Sequence, residues 1–282
     1  MITTAAIMLF VGFLAGTLGA ILGIGGGMIV TPIVTLLFGL NIKYAIGASI
    51  IAVIATSSGS TIAFLKDDLI NLRVAMFLEV ATASGAIIGA LLTGSMNGKI
   101  LYFLFGCLLL FASFNMVRKL MAGEEVLHRA KPDKWAVRFK LNSSYYDKST
   151  HEEVNYDVQN IPGGLAIMFG AGLASGMLGI GSGAFKVMAL DNAMKMPLKP
   201  SSATSNLMMG VTAAASATVY FFSGAIRPEI AVPLALGILV GSLLGSRIMQ
   251  KLPTRVLRMI FVPVFLYLGL QMALKAFGIN IG

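Results

Sequence analysis

Two short glycine-rich runs, Gly23-Ile-Gly-Gly-Gly27 and Gly179-Ile-Gly-Ser-Gly183, interrupt stretches that are otherwise almost wholly apolar. Glycine costs about 1 kcal/mol per helical residue relative to alanine, so a run of this kind favours an unwound backbone. Unwinding leaves free N–H groups at the start of the next helix, and these bind anions through hydrogen bonds and the helix dipole. Close helix crossing is the competing use of such glycines. For Gly85/Gly89 and Gly241/Gly245, spaced G-x-x-x-G, crossing is the expected use.

Other polar groups sit near these runs. Lys186 follows Gly183 by three residues, Asp191 lies five further on, and Glu79 falls mid-way along the apolar run 72–94. Ionisable groups within such runs are functional candidates. Lys186 suits the counter-charge of an anion, but equally a pairing with Asp191 or a snorkelling role at the interface. Glu79 and Asp191 are candidates for coupling to a proton or Na+, and Glu79 also fits a structural ion pair. Thr204-Ser205-Asn206 and Ser49 offer hydroxyl and amide donors to anion oxygens. The same donors also satisfy helix backbone without any ligand. The hydroxyls Thr56, Ser57, Ser58, Ser60 and Thr61 are expected to bind helix to helix. The candidate substrate-binding set is therefore Gly23, Gly25, Gly26, Gly27, Ser49, Gly179, Gly181, Ser182, Gly183, Lys186, Thr204, Ser205 and Asn206.

Other chemistries lack their residues. No Gly-Lys-Ser/Thr follows either run, so neither is a P-loop, and no G-x-G-x-x-G follows a strand. The two histidines, His128 and His151, lie in a polar middle segment, and Cys107 is the only cysteine. No metal cluster, disulfide framework or cofactor is expected. A nucleophile–base pair at membrane depth is also missing, so the chain does not read as an enzyme.

The chain that must position these groups has 282 residues, 57% hydrophobic and 12% charged. Soluble domains carry roughly 25% charged residues, so this composition is that of a polytopic membrane protein. Apolar runs fall at 5–22, 28–39, 44–64, 72–94 and 99–117, then at 161–178, 184–194, 200–222, 229–250 and 256–277. Eight are long enough to span a bilayer, whereas 28–39 and 184–194 are too short. An uncleaved first helix is expected, because MITTAAIMLF lacks a basic leader region.

The chain repeats itself at an offset of 156 residues. Gly16 falls on Gly172, the first glycine run on the second, Ser49 on Ser205, Thr56 on Thr212, Gly85 on Gly241 and Lys119 on Lys275. One register held over five segments indicates duplication. The organisation expected is a first transmembrane repeat at 1–117, an insert at 118–160 and a second repeat at 161–282. Each repeat has about five helical segments, with a broken helix at its glycine run.

Charge orients the repeats. The insert carries eight Lys/Arg and seven Asp/Glu, and the apolar remainder 13 and 5. With the insert inside, the inner loops hold Lys66, Arg73, Lys195, Lys199, Arg247, Lys251, Arg255 and Arg258, which obeys the positive-inside bias only if the halves are inverted. Both termini are then outside. A nucleic-acid partner is not expected, because the basic excess lies in loops between spans rather than on a soluble face. Within the insert, Trp135–Leu141 and Glu152–Val158 alternate in character, which suits a small β-hairpin, with a solvated linker as the alternative.

Gly-Ile-Gly-Gly-Gly-Met-Ile-Val-Thr-Pro32, its echo near 179, and Pro197-Leu-Lys-Pro-Ser-Ser-Ala-Thr-Ser-Asn206 resemble the sulfite exporter TauE/SafE family of membrane permeases, over essentially the whole chain. The resemblance implies transport of small anions, chiefly sulfite and organosulfonates, across the plasma membrane without ATP hydrolysis. Ser182 stands where the familiar run has glycine, and Met188 stands opposite Pro32, which loosens the link to any one substrate. The expected partners are a small anionic substrate, the lipid bilayer and a coupling ion, H+ or Na+. The leading expectation is a secondary transporter working by alternating access, in the export direction. An anion channel, or an uptake permease for another small organic anion, is the alternative.

Overall fold

A computed structural model of the chain describes residues 2–22, 25–122, 133–147, 151–249 and 254–278. The first half runs α1 (Ile2–Leu22), α2 (Gly27–Leu37), α3 (Ile42–Lys66), α4 (Leu72–Ser95) and α5 (Gly98–Ala122). A short helix α6 (Lys134–Arg138) and two strands, β1 (Ser143–Asp147) and β2 (Glu152–Tyr156), form the insert. The second half runs α7 (Ile161–Leu178), α8 (Gly183–Met188), a π-helical turn (Ala189–Ala193), α9 (Leu198–Phe222), α10 (Pro228–Met249) and α11 (Thr254–Ala276).

The fold class is the expected one, an all-helical polytopic membrane protein with one small hairpin. Five described helices, α3, α4, α5, α7 and α10, are long and apolar enough to cross a bilayer. The other three expected spans are α1, α9 and α11. Helices α1 and α11 have 21 and 23 residues, with Ala5–Ile21 and Val262–Ala276 as their apolar stretches among the described residues. Helix α9 has 25 residues, but its first half carries Ser201, Ser202, Thr204, Ser205 and Asn206, all buried. Those polar groups face protein rather than lipid, so mean hydropathy understates the helix. The two short runs appear as α2 and as α8 with its π-helical turn, both too short to span.

Glycines set how the helices meet. A Cβ on Gly12 or Gly16 would strike the carbonyls of Leu234 or Ile238, so α1 and α10 touch backbone to backbone and run in the same direction. Gly85 and Gly89 meet Phe169 and Leu173 in the same way, which makes α4 and α7 parallel neighbours. Gly241 and Gly245 press on the Phe13 and Thr17 carbonyls, so both G-x-x-x-G pairs serve packing. Helices α5 and α11 run antiparallel, with Gly106 against Ala273 and Ser113 Oγ donating to Val262 O at 3.2 Å. Helices α3 and α9 also cross antiparallel: Ser57 Oγ and Ser60 Oγ bond Asn206, while Val53 and Met209 share Gly25 as a neighbour.

The insert departs from expectation in its first half. Trp135–Leu141 is not a strand but α6 and the turn that ends it. Trp135 and Phe139 stack with ring centroids 6.0 Å apart, the i,i+4 contact of a helix, while Ala136 is buried. The strand falls instead on the polar run Ser143–Asp147, which pairs antiparallel with Glu152–Tyr156. Its inward positions are Tyr145 and Asp147, and Lys199 Nζ donates to Asp147 Oδ1 at 2.5 Å. Because the ion pair lets an aspartate face inward, hydropathy alone hides the alternation. Tyr145 packs with Phe64, Leu69 and Ala203, which docks the hairpin on the adjoining ends of α3, α4 and α9. Burial, helped by the Asp147 carboxylate, pushes the Tyr145 hydroxyl up to about 12.

Candidate functional site

The two glycine loops turn back in the left-handed region, Gly25 at φ +81° and Gly181 at φ +70°, where a side chain is strained. They come together between α3 and α9. A Cβ on Gly25 would lie 3.1 Å from Met209 Sδ and 3.7 Å from Ile180 O. A Cβ on Gly181 would lie 2.6 Å from Val53 Cγ1 and 3.4 Å from Met209 Sδ. Val53 and Met209 are themselves 156 residues apart in sequence, so each half contributes one loop and one apolar side chain to the contact. Gly23, at the start of the first loop, lies outside the described residues.

Hydroxyls from the spanning helices hold these loops. Ser49 Oγ lies 2.5 Å from Gly179 O and 3.1 Å from Gly27 O, joining the loop of one half to that of the other. Ser205 Oγ donates to Gly183 O at 3.2 Å. Gly26 N–H donates to Thr56 Oγ1 at 3.2 Å. A Cβ on Gly27 would sit 2.6 Å from Ser49 Oγ and 2.7 Å from Gly179 O, so α2 can start here only as glycine.

The charged residues form a chain across three helices. Lys186, on α8, is 0% exposed, and Glu79, on α4, is 6% exposed. Between them stands Thr212 of α9. The Lys186 ammonium donates to Thr212 Oγ1 at 2.5 Å, and Thr212 Oγ1 donates to Glu79 Oε1 at 2.5 Å. Glu79 Oε2 lies 4.0 Å from Lys186 Nζ. A buried ammonium and carboxylate each carry a desolvation cost, which their mutual attraction offsets when the geometry is close. The lysine's partner here is therefore Glu79. Asp191 sits half-buried in the π-helical turn beyond α8.

Two buried polar atoms near this chain have no hydrogen-bond partner, Glu79 Oε2 and Ser182 Oγ. Ser182 precedes α8 at φ +48°, a strained conformation for a serine, and its carbonyl accepts from Lys186 N–H at 3.0 Å.

Thr204, Ser205 and Asn206 do not converge. Consecutive helical residues point about 100° apart, and the three address different neighbours. Thr204 Oγ1 accepts from Asn71 N–H at 3.0 Å, at the end where the insert docks. Ser205 reaches α8, and Asn206 reaches α3 while donating to Ser202 O at 2.9 Å. Thr212 carries the strongest contacts in the cluster, yet as a plain helical hydroxyl it was not singled out from sequence. Its signal was the spacing Ser205, Thr212, two turns along one helix face.

The space between the loops is filled by Val53 and Met209. Among the described residues, open grooves lie on outer helix faces, one of about 780 Å³ between α4 and α7 and one of about 480 Å³ among α1, α2 and α11. Lys186 and Glu79 are buried beside the loops.

The chain is similar to known proteins along nearly its whole length. Residues 8–272 match the family model described as Sulfite exporter TauE/SafE. The chain is 27% identical to the probable membrane transporter protein YunE of Bacillus subtilis, over 94% of this chain and 96% of that one. It is 26% identical to a probable membrane transporter protein of Methanocaldococcus jannaschii, covering 95% of each. A probable membrane transporter protein of Haemophilus influenzae is 26% identical over 98% of this chain and 100% of its own. No solved structure matches the chain.

Proposed function

The chain belongs to the sulfite exporter TauE/SafE family, a family of membrane transporters, and from that premise we propose that it carries a small sulfur-containing anion such as sulfite or an organosulfonate. One observation supports this site most. The buried, unpartnered Ser182 hydroxyl stands one turn before the fully buried Lys186, on a helix that starts at a glycine loop. An oxyanion entering there meets an ammonium, a free hydroxyl and backbone N–H groups together, the donor set that suits such oxygens. Gly25, Gly26, Gly27, Gly179, Gly181 and Gly183 shape the backbone of the proposed site, and Ser49 and Ser205 pin it. Thr204 and Asn206 would brace α9 rather than touch the anion, because their polar atoms already have protein partners.

The two halves work, in this reading, as inverted repeats moving by alternating access. The antiparallel crossings of α3 with α9 and of α5 with α11 support it, since each joins a helix to its own counterpart. Val53 and Met209 would form the closed gate. For an anion to take Lys186 as partner, Glu79 must give it up. A proton on Glu79, or Na+ beside it, allows this without stranding a buried charge, which makes Glu79 the coupling residue. The insert is assigned to the cytoplasm and both termini to the outside of the plasma membrane, from loop charge.

Export follows from charge. An inside-negative potential drives negative charge outward by about 2.3 kcal/mol per elementary charge per 100 mV. A doubly negative anion carried with one proton still moves one negative charge. The test is sulfite efflux from proteoliposomes under an imposed inside-negative potential. Saturable efflux that methanesulfonate slows is expected; efflux slowed only by carboxylates would overturn the substrate assignment.

A further inference from the structure

The 780 Å³ groove between α4 and α7 is lined by Met76, Phe77, Val80, Ala81, Leu165 and Phe169, with Arg73 at one end and Ser84 at the other. The eleven helical steps from Arg73 to Ser84 rise about 16 Å, close to the depth of one bilayer leaflet. The backbone contacts of α4 with α7, at Gly85, Gly89, Gly172 and Gly176, involve α4 residues from Thr82 onward, and the groove lies on the Arg73 side of them. Toward Arg73 the groove is flanked by Phe77 of α4 and Leu165 of α7.

The insert roofs the Arg73 end. Phe139 packs on Phe77 with centroids 4.9 Å apart and the rings tilted by 41°, and Trp135 stacks on Phe139. Trp135 and Phe139, stacked on one side of α6, remain 48% and 41% exposed, apolar surface that water would not favour. The same element carries Lys134, Arg138 and Lys140, all exposed. Aromatic and basic side chains together are the composition of a membrane interface.

Arg73 itself makes one described hydrogen bond, from Nη1 to Lys140 O at 3.1 Å. It occupies the second position of α4, whose first turn holds no acidic residue. The helix dipole there also favours an anion.

We propose that this groove is a binding site for one anionic phospholipid, its phosphate held by Arg73 beneath the basic insert and one acyl chain lying along α4. Charge selects the occupant: a zwitterionic lipid fills the groove equally well but gains less from Arg73, Lys134, Arg138 and Lys140. The site lies outside the anion cluster and does not depend on what the transporter carries.

The experiment offers the detergent-purified full chain phosphatidylglycerol or phosphatidylcholine of identical acyl chains and counts retained lipid by native mass spectrometry. Retention of phosphatidylglycerol over phosphatidylcholine by about fivefold is expected, near the value of one basic side chain at a membrane surface. Arg73→Gln should abolish that preference. Val80→Trp, at a lipid-exposed position, should expel the lipid while leaving Arg73 in place. Equal retention of the two lipids, or a preference that both variants keep, would overturn the proposal. Displacement of the lipid by inorganic phosphate at equal concentration would also overturn it, in favour of a free-anion site. A dimer that Val80→Trp disperses would assign the groove to a second copy of the chain instead.

Discussion

Ser49 and Ser205 make the same hydrogen bond in the two halves of the protein, each to the carbonyl of the glycine that starts the short helix beside it. Ser49 Oγ stands 3.1 Å from Gly27 O, and Ser205 Oγ stands 3.2 Å from Gly183 O. The likeness stops one contact later. Ser49 also reaches Gly179 O of the other half, at 2.5 Å. Thr56 accepts from Gly26 N–H, whereas its counterpart Thr212 is taken by Lys186 and Glu79. The two serines therefore match in this bond, while Lys186 and Glu79 meet at Thr212, the counterpart of Thr56.

Ser49→Ala is therefore expected to cost more than Ser205→Ala. Ser49 holds the two loops together, and its loss leaves a buried carbonyl short of a donor, at about 1–3 kcal/mol. Ser205→Ala removes one ordinary bond, about 1 kcal/mol. Melting temperatures of both variants in one detergent check the order; a lower value for Ser205→Ala would contradict it.

Gly181→Ala combines two penalties. The left-handed backbone costs about 1–2 kcal/mol for a residue with a side chain. The new Cβ would also lie 2.6 Å from Val53 Cγ1. The expected result is a folded protein with strongly reduced sulfite flux, because the loop must shift against the gate. Adding Val53→Ala should restore part of the flux by clearing the contact while leaving the backbone strain. A double variant no better than Gly181→Ala alone would assign the loss to strain only.

Much of this was legible in the sequence because apolar runs, glycine breaks and a fixed offset are written in residue types. Helices α2 and α8 were recognisable as too short to cross, and Ser49 and Ser205 fell together by register alone. What escaped was decided by tertiary contact. Trp135 and Phe139 alternate with polar residues as a strand would, yet they stack at helical spacing. Asp147 faces inward only because Lys199 meets it. The pairing of Lys186 with Glu79 joins residues 107 positions apart on α8 and α4, and no local pattern announces it.

Hairpin docking should weaken in alkali. The Tyr145 hydroxyl is held up to about 12, against about 10 in the unfolded chain. Its contribution is fully present below pH 10 and is lost as pH rises from 10 toward 12, since only the unfolded form ionises in that window. Amide exchange of residues 143–147, compared at pH 9 and pH 11 after correction for intrinsic rates, should show protection falling. Tyr145→Phe should flatten the change.

Sidedness has a direct test. On a Cys107→Ser background, Ser143→Cys in β1 and Ser95→Cys at the C-terminal end of α4 occupy opposite ends of the spanning helices, and both positions are exposed. An impermeant thiol reagent added to intact cells should label Ser95→Cys and spare Ser143→Cys until the membrane is opened. The reverse pattern would invert the proposed topology.

Lys186 carries the sharpest contrast between site and scaffold. Removing one partner of a buried ion pair strands the other charge, at about 3–5 kcal/mol. Lys186→Met alone should therefore lower the melting temperature, whatever the lysine does in transport, because the buried Glu79 carboxylate loses its counter-charge. Glu79→Gln with Lys186→Met removes both charges and should recover most of that loss. The recovered protein then separates the two roles. If Lys186 holds the anion, the double variant is folded, binds sulfite weakly and moves almost none across a proteoliposome membrane. Glu79→Gln alone keeps the ammonium, so it should still bind sulfite, while the pH dependence of its flux is reduced. If Lys186 merely braces α8 against α4 and α9, the double variant transports sulfite at the wild-type rate. Binding, flux and melting temperature measured on the same three preparations decide between these accounts, because a structural role cannot lower flux once stability has been restored.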